Sequence, residues 1–340
     1  MTWNTPLTEL FGVRYPIMQA GMGQVAGGRL AAAVTNAGGI GCIGASRMSP
    51  EQFDEEIALA QSLTDGPFGV DFLFPDIDDS TGPAPDAPYH AVDPKLRNTM
   101  LHIAYDRRVA LIVYAMKLQE GRADEAHELG IKVMTLVGTA RHAVRAQERG
   151  ADAVIATGTE AGGHTGAVAL TALVPAVRRA VDIPVVASGG IATGQGVASA
   201  LALGAAGVWV GTRFMATREA QVHPAVHKEI MDRSEDQTVI SRALSGKTCR
   251  LATNNFTAYW SDREIKPFPQ QAIDMNKMNY VQRSLVEGDV QDCPLPMGQS
   301  TGLIDDILGA DEVVDNLVRE AEETVRNLTT MVGAPETVAR

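Results

Sequence analysis

Eight short apolar runs alternate with helical patterns between Pro16 and Val210, and this alternation restricts the fold more than any other feature of the sequence. Runs that are apolar along their whole length are typical of parallel strands covered by helices on both faces. Eight strand–helix units in this length fit a (β/α)8 TIM barrel better than a doubly wound sheet. The runs begin at Pro16 and continue at residues 40–44, 68–74, 110–114, 132–136, 153–156, 184–187 and 207–210.

The alternation of strands and helices stops after Glu219. Residues 221–296 carry helical patterns, notably from Pro224 to Arg233, and then a polar stretch. Residues 302–331 show apolar side chains near helical spacing, which predicts an amphipathic helix packed against the barrel. We therefore predict a barrel formed by residues 1–220 and 297–340, and a small, mostly helical domain at 221–296 that covers the barrel mouth and the substrate.

The charge and the cysteines exclude several classes of protein. The net charge is −12, whereas nucleic acids and anionic membranes bind clustered Lys and Arg, so we expect neither as a partner. The three cysteines are too far apart for a disulfide framework, and the first residues lack a signal-peptide pattern, so a cytoplasmic location is predicted. No apolar run reaches the roughly 18 residues of a membrane span. The sequence leaves the oligomeric state open, and a homodimer is allowed.

The loop from Gly158 to Gly166 follows the sixth predicted strand and places four glycines around His164. The backbone can approach a ligand closely at glycines, and the histidine adds one titratable ring. Active sites of such barrels lie at the carboxyl ends of the strands, so His164 is the candidate catalytic residue. The alternative, for this loop alone, is a flexible surface loop with a solvated histidine. We predict no metal site, because His223 and His227, four residues apart, have no other ligands nearby.

Two glycine turns follow the seventh and eighth predicted strands, at residues 188–194 and 211–214. In barrels of this class the last two loops commonly bind phosphate, and glycine amides where a helix begins favour an anion. We therefore predict a phosphate site at these two turns. A third turn, Gly21–Met22–Gly23, follows the first strand and would face the phosphate across the barrel mouth, so that a flat cofactor could lie with Met22 near its ring.

Together these motifs resemble the nitronate monooxygenase family, formerly called 2-nitropropane dioxygenases. The resemblance is carried by residues 16–23, the Gly-Gly-His-x-Gly loop, residues 187–191 and residues 211–214. It runs in order from residue 5 to 230. FMN-dependent enoyl-acyl-carrier-protein reductases and NADH:quinone reductases share these motifs. The motifs are therefore specific for the superfamily and less specific for the activity. IMP dehydrogenases share the barrel but need a nucleophilic cysteine, which the loop of His164 lacks.

The resemblance implies a non-covalently bound FMN, with its phosphate at the turns after strands seven and eight, its ring at the Met22 turn, and His164 as the catalytic residue. One departure is Asp71, where members of the family often have asparagine. A carboxylate there could accept a hydrogen bond from the flavin but would disfavour a reduced, anionic flavin. The predicted cofactor-binding residues are Ala20, Gly21, Met22, Gly23, Asp71, Gly162, Gly163, Gly166, Ser188, Gly189, Gly190, Gly211 and Thr212.

A second departure is the loop from Pro75 to Pro94, which is rich in Asp, Pro and Gly and has no assigned place in the family pattern. A structureless loop of this length is usually functional or partly disordered. Its role therefore stays open.

The function that the resemblance implies is the oxidation of alkyl nitronates by FMN and O2 to a carbonyl compound and nitrite. A protonated His164 would steady the anionic nitro group, whereas a neutral His164 could remove the α-proton of a nitroalkane. The alternative is an NAD(P)H-dependent FMN oxidoreductase acting on a quinone or an enoyl thioester. A third possibility is a barrel that binds a phosphate ligand without a flavin.

Overall fold

A computed structural model describes residues 2–75 and 93–332 of the chain. The acidic loop predicted between Pro75 and Pro94 falls almost wholly outside the described residues. The strands are β1 (Ile17–Gln19), β2 (Cys42–Gly44), β3 (Gly69–Leu73), β4 (Leu111–Ala115), β5 (Lys132–Val137), β6 (Ala153–Thr157), β7 (Gly163–His164), β8 (Val185–Ser188), β9 (Gly207–Val210), β10 (Thr238–Ser241) and β11 (Cys249–Ala252).

Helices lie between the strands of the barrel and continue after its last strand. They are α1 (Pro6–Phe11), α2 (Gly28–Asn36), α3 (Pro50–Leu63), α4 (Pro94–Asp106), α5 (Arg122–His127), α6 (Ala140–Glu148), α7 (Leu170–Arg178), α8 (Gly194–Ala202), α9 (Thr212–Met215), α10 (Pro224–Met231), α11 (Asn255–Tyr259), α12 (Gln270–Lys277), α13 (Tyr280–Leu285) and α14 (Ala310–Val332), with a 3₁₀ turn at Gln299–Leu303. Among the described residues, no helix combines the length and the apolar character needed to cross a membrane.

Eight parallel strands form the barrel in the order β1, β9, β8, β6, β5, β4, β3, β2, and each of them coincides with a predicted strand. The predicted (β/α)8 TIM barrel is therefore confirmed. Its interior is filled by one apolar cluster that includes Met18, Val113, Ile155 and Trp209. A larger cluster fills the space between the strands and the surrounding helices. This double burial explains why the strands read as continuous apolar runs.

The barrel closes between β1 and β2, where regular strand pairing is short. Met18 pairs with Ile40, and the ladder then stops. Beyond this point the completely buried side chain of Gln19 makes the hydrogen bonds between the two strands. Its Nε2 donates to the carbonyl of Cys42 and its Oε1 accepts from the amide of Cys42, both at 3.0 Å. One side chain thus supplies the two hydrogen bonds that a neighbouring strand would have made.

Replacing Gln19 with leucine is expected to destabilise the barrel by about 2–5 kcal/mol, because it leaves one amide and one carbonyl buried without partners. The matched control is Gln61→Leu, whose exposed amide also donates to a carbonyl, that of Arg107 at 2.8 Å. A surface change of this kind usually stays within about 0.5 kcal/mol. Denaturant unfolding of both variants checks the prediction, and equal losses of stability would contradict it.

Residues 221–296 are not as uniformly helical as predicted. Besides α10 to α13 they contain β10 and β11, which pair antiparallel, and β11 pairs in turn with β7 of the barrel. The predicted closing helix begins at Ala310, later than expected, because Leu308 still bridges to Thr217. The buried residues of α14 include Val313, Val314, Leu317 and Ala321. The boundaries of the predicted domains stay a prediction.

Candidate active site

The carboxyl ends of the barrel strands surround a cavity of about 260 Å³. Every predicted site residue except Gly166 lines it, so loops that are far apart in the sequence meet at one place. Gly166 does not line the cavity, and a Cβ there would come 3.0 Å from the Thr157 carbonyl oxygen and 3.2 Å from Cα of Gly138. The site roles of all these residues stay predictions, but their placement in one cavity is what a common ligand requires.

The turns after β8 and β9 offer backbone groups to the cavity. Gly189 and Gly190 have φ values of 111° and 72°, which L side chains rarely adopt. Within the described residues, no backbone carbonyl accepts the amide hydrogens of these two glycines. At Gly211 the protein itself would accommodate a side chain, since a Cβ there would meet only Ala20 and Met22, both at 3.8 Å. Protein packing alone therefore leaves room at Gly211, which suits the close approach of a ligand.

The first amide of α8 is not available to a phosphate, although the sequence suggested an anion where this helix begins. The Gly194 amide donates to Oε2 of Glu320 on α14 at 2.8 Å. A carboxylate from the closing helix therefore occupies the positive end of α8. The amides of Gly189 and Gly190, which precede α8 in the same loop and line the cavity, have no backbone acceptor among the described residues.

His164 lies on β7, which pairs with β11, and the residue lines the cavity. Its Nε2 is 2.8 Å from Oγ of Ser245, a residue in the turn before β11. The same Oγ accepts from the amide of Lys247 at 3.3 Å and lies 3.9 Å from Sγ of Cys249. Burial, with a smaller effect of the Lys247 charge, lowers the pKa of His164 to about 4. The imidazole is therefore neutral at pH 7.

Asp71 lies on β3 and lines the cavity. Its Oδ1 is buried and has no hydrogen-bond partner among the described residues. Burial raises the pKa of this carboxyl to about 8. A Cβ on Gly21 would lie 2.3 Å from Cβ of Asp71, so Gly21 is glycine because the Asp71 side chain fills that space.

Residues 221–296, together with Gly298 and Ser300, form the remaining wall of the cavity. The hydrogen bonds that connect this segment with the barrel loops include Gln24 Nε2 to Gln282 Oε1 at 2.8 Å and Arg47 to Asn276 Oδ1 at 2.7 Å. Beyond Gln24 and Arg47, which line both spaces, a second cavity of about 580 Å³ continues toward α3 and α10. The segment contributes Leu244, Ser245, Ala272, Val281, Leu285 and Pro296 to the first cavity.

The histidine pair that we considered as a metal site serves the local structure instead. Nδ1 of His223 accepts from the amide of Ala225 at the start of α10, and Nε2 of His227 lies 3.1 Å from the carbonyl of Met215. Nowhere in residues 2–75 or 93–332 do three or more His, Cys, Asp or Glu side chains gather in a way that could hold a metal ion.

Sequence reasoning missed Ser245, Arg47 and Gly298 as residues of the site. Ser245 reaches His164 only through the pairing of β7 with β11, which joins segments about 80 residues apart. Gly298 lies against Gly162, where a Cβ would come 2.6 Å from the Gly298 amide. A Met-Gly pair after a proline was visible at residues 296–298, but nothing local assigned it to the site.

The comparison with known proteins agrees with the fold described above. A sequence model described as nitronate monooxygenase matches residues 4–320. The chain belongs to the nitronate monooxygenase family. This protein is accordingly a flavin oxidoreductase of that family.

Three relatives show how broad this family is in named activities. A curated protein of Rhodococcus jostii, (3aS,4S,5R,7aS)-5-hydroxy-7a-methyl-1-oxo-octahydro-1H-indene-4-carboxyl-CoA dehydrogenase, is 36% identical over 94% of this chain and 96% of its own. The structure of FabK from Thermotoga maritima has a TM-score of 0.85 and 34% identity, covering 97% of this chain and 100% of FabK. Nitroalkane oxidase from Streptomyces ansochromogenes has a TM-score of 0.85 and 29% identity, with coverages of 95% and 100%.

Proposed function

We propose that the cavity binds FMN, with the phosphate held by the turns of Gly189, Gly190, Gly211 and Thr212. The unbonded amides of the Gly189–Gly190 turn and the open space at Gly211 support this assignment. Thr212 adds a hydroxyl, whose oxygen already accepts from the Gly298 amide at 3.0 Å and whose hydrogen is left to donate. The glycines at Gly21 to Gly23 would face the flavin, as the resemblance implies.

We propose further that the substrate is a coenzyme A thioester of a bulky, apolar acyl group. The observation that carries this is the neutral His164 in an apolar cavity. A neutral imidazole that reaches the cavity can donate one hydrogen bond to a neutral carbonyl, such as that of a thioester, but brings no charge to an anion. The second cavity beyond Arg47 gives a long substrate room that a small nitronate does not need. The name of the Rhodococcus relative points to the same substrate class.

The protein's own contribution to the reaction is position and hydrogen bonding. The hydroxyl hydrogen of Ser245 has two acceptors in reach, Nε2 of His164 at 2.8 Å and Sγ of Cys249 at 3.9 Å, and we assign it to the nearer one. This leaves the His164 hydrogen on Nδ1, where it polarises the substrate carbonyl. Leu244, Val281 and Leu285 exclude water from the acyl group. Bound FMN supplies the chemistry of two-electron transfer.

A second candidate is the oxidation of alkyl nitronates with O2, the function first implied by the resemblance. The match of the family model and the likeness to nitroalkane oxidase favour it. The structure changes the part that His164 would play, since a group with a pKa of about 4 is neither a cation nor a strong base at pH 7. Activity would then concern pre-formed nitronates more than neutral nitroalkanes.

The visible spectrum of the holoenzyme under anaerobic conditions separates the candidates. Bleaching of the flavin by NADH or NADPH, followed by its return on adding an α,β-unsaturated CoA thioester, whose C=C bond accepts the two electrons, is expected for the proposed function. Bleaching by a nitronate, with no effect of either nicotinamide, would establish the second candidate instead. A colourless protein that takes up no FMN would contradict both.

The cellular compartment is also part of the proposal. Cys42, Cys249 and Cys293 are all free and buried. Unpaired cysteines are typical of proteins in a reducing cytoplasm, where we place this enzyme.

A further inference from the structure

Among the residues that the structure describes, Asp71 is the one carboxyl in the wall of the first cavity, and the strand geometry directs it inward. Val70 and Phe72 pack in the outer shell of the barrel, so the alternation along β3 sends the side chain between them to the inside. Its strand neighbours are Gly44 on β2 and Val113 on β4. Asp71 therefore lies where the sheet interior opens into the cavity.

The surroundings of Asp71 provide no cation and no donor for Oδ1 among the described residues. The β1 turn presents Gly21, and β4 presents Val113. On β2, burial raises the pKa of the Cys42 thiol, and the charge of an ionised Asp71 would raise it further. In residues 2–75 and 93–332, the other ionisable groups of the cavity wall are Arg47, which donates to Asn276, and the neutral His164.

An ionised carboxylate in such a place would be a buried charge without a partner, which is strongly unfavourable. The carboxylic acid avoids this cost, but it carries an O–H that itself needs an acceptor. Among the described residues neither carboxyl oxygen has a hydrogen-bond partner. Oδ1 is sealed inside the wall, so Oδ2 is the oxygen that can carry the proton toward a molecule bound in the cavity.

We propose that Asp71 is present as the carboxylic acid and donates a hydrogen bond from the cavity wall to the bound flavin. This inference rests on the proposed function, because the acceptor of the hydrogen bond is its FMN. The sequence suggested a carboxylate that accepts from the flavin and opposes a reduced, anionic one. An uncharged donor has the opposite effect, because it favours negative charge on the group that it faces. A protonated aspartate can donate a hydrogen bond to the flavin as an asparagine amide can, whereas an ionised aspartate can only accept one.

The affinity for FMN should therefore depend on pH. The pKa of about 8 leaves Asp71 protonated at pH 6.5 and ionised at pH 9.5. If only the acid form binds FMN well, the dissociation constant rises about 30-fold over this interval, as linkage requires for a group titrating about 1.5 units below the upper pH. Asp71→Asn is expected to bind FMN with a nearly constant affinity, because an amide donates at both pH values. Asp71→Leu, which has no donor, should bind weakly at both.

Fluorescence titration of FMN-free protein with FMN provides these constants for all three proteins. Parallel curves for the native protein and Asp71→Asn would overturn the inference. Failure of all three to bind FMN at any pH would instead overturn the proposed cofactor.

A second measurement decides the protonation state of Asp71 without any flavin. The folded state holds this proton up to about pH 8, whereas the unfolded chain releases it near its ordinary pKa of 3.8. The stabilising effect of the proton is complete below pH 4 and is lost as pH rises toward 8. Asp71→Asn should therefore gain stability relative to the native protein between pH 4 and pH 8, and no more above it. A difference that does not change with pH would overturn the inference as well.

Discussion

Replacing His164 with alanine is expected to lower kcat on an acyl thioester by about 10²–10³-fold, the usual cost of removing one preorganised hydrogen-bond donor. The ring faces the cavity, and its Nε2 is held by Ser245 at 2.8 Å. FMN content should be unchanged, because the turns that would hold the phosphate follow other strands. Since the pKa of His164 is about 4, the native rate should show no inflection from this group near pH 6.5.

Two further variants make this result specific. Ser245→Ala keeps the imidazole but frees its orientation and tautomer, so a smaller loss of kcat is expected, with a change in the ¹⁵N signals of the ring. His102→Ala, on the exposed side of α4, should have no effect. A kcat for His164→Ala within threefold of the native value would show that this histidine has only a structural role.

Replacing Gly211 with valine is expected to raise the dissociation constant for FMN by about 10²–10⁴-fold. Overpacking costs about 1–3 kcal/mol and a lost hydrogen bond to a charged group about 1.5–3 kcal/mol, and each 1.4 kcal/mol is a factor of ten. The protein itself should still fold, since the new Cβ meets its nearest neighbours at 3.8 Å. Fluorescence titration with FMN, together with thermal unfolding of the FMN-free protein, checks both parts.

Gly196→Ala is the matched control for this substitution. Gly196 lies in α8, the helix that follows the turn of Gly189 and Gly190, but does not line the cavity, and a Cβ there would be 3.3 Å from the side chain of Ile191. FMN binding should be unaffected. If Gly211→Val kept FMN at native affinity, the phosphate would have to be placed elsewhere.

The barrel could be predicted from the sequence because each of its strands can be recognised from its own residues. An apolar run between glycines needs only its own residues to be recognised, and the eight runs fix the architecture through the known geometry of parallel sheets. The site followed from the same logic, since strand ends meet at one rim. Glycines such as Gly189 and Gly211 could be placed at that rim from their position after a strand alone.

What the sequence did not show depends on contacts between distant segments. The pairing of β11 with β7 brings Ser245 to His164, and no local pattern around residues 238–252 marks it as a hairpin of a barrel enzyme. The carboxylate of Glu320 satisfies the start of α8 across more than 120 residues. Protonation states were equally out of reach, because the pKa of Asp71 is set by burial that only the folded chain creates.

The pairing of β7 with β11 has a consequence for engineering the substrate range of this family. Residues 221–296 look like a module that could be exchanged between relatives to transplant specificity. The exchange would also remove Ser245 and the strand that pairs with Gly163 and His164. A hybrid enzyme should therefore keep the native residues from Ser245 to Ala252 and take only the helices α12 and α13 from the donor, so that new substrates meet an undisturbed imidazole.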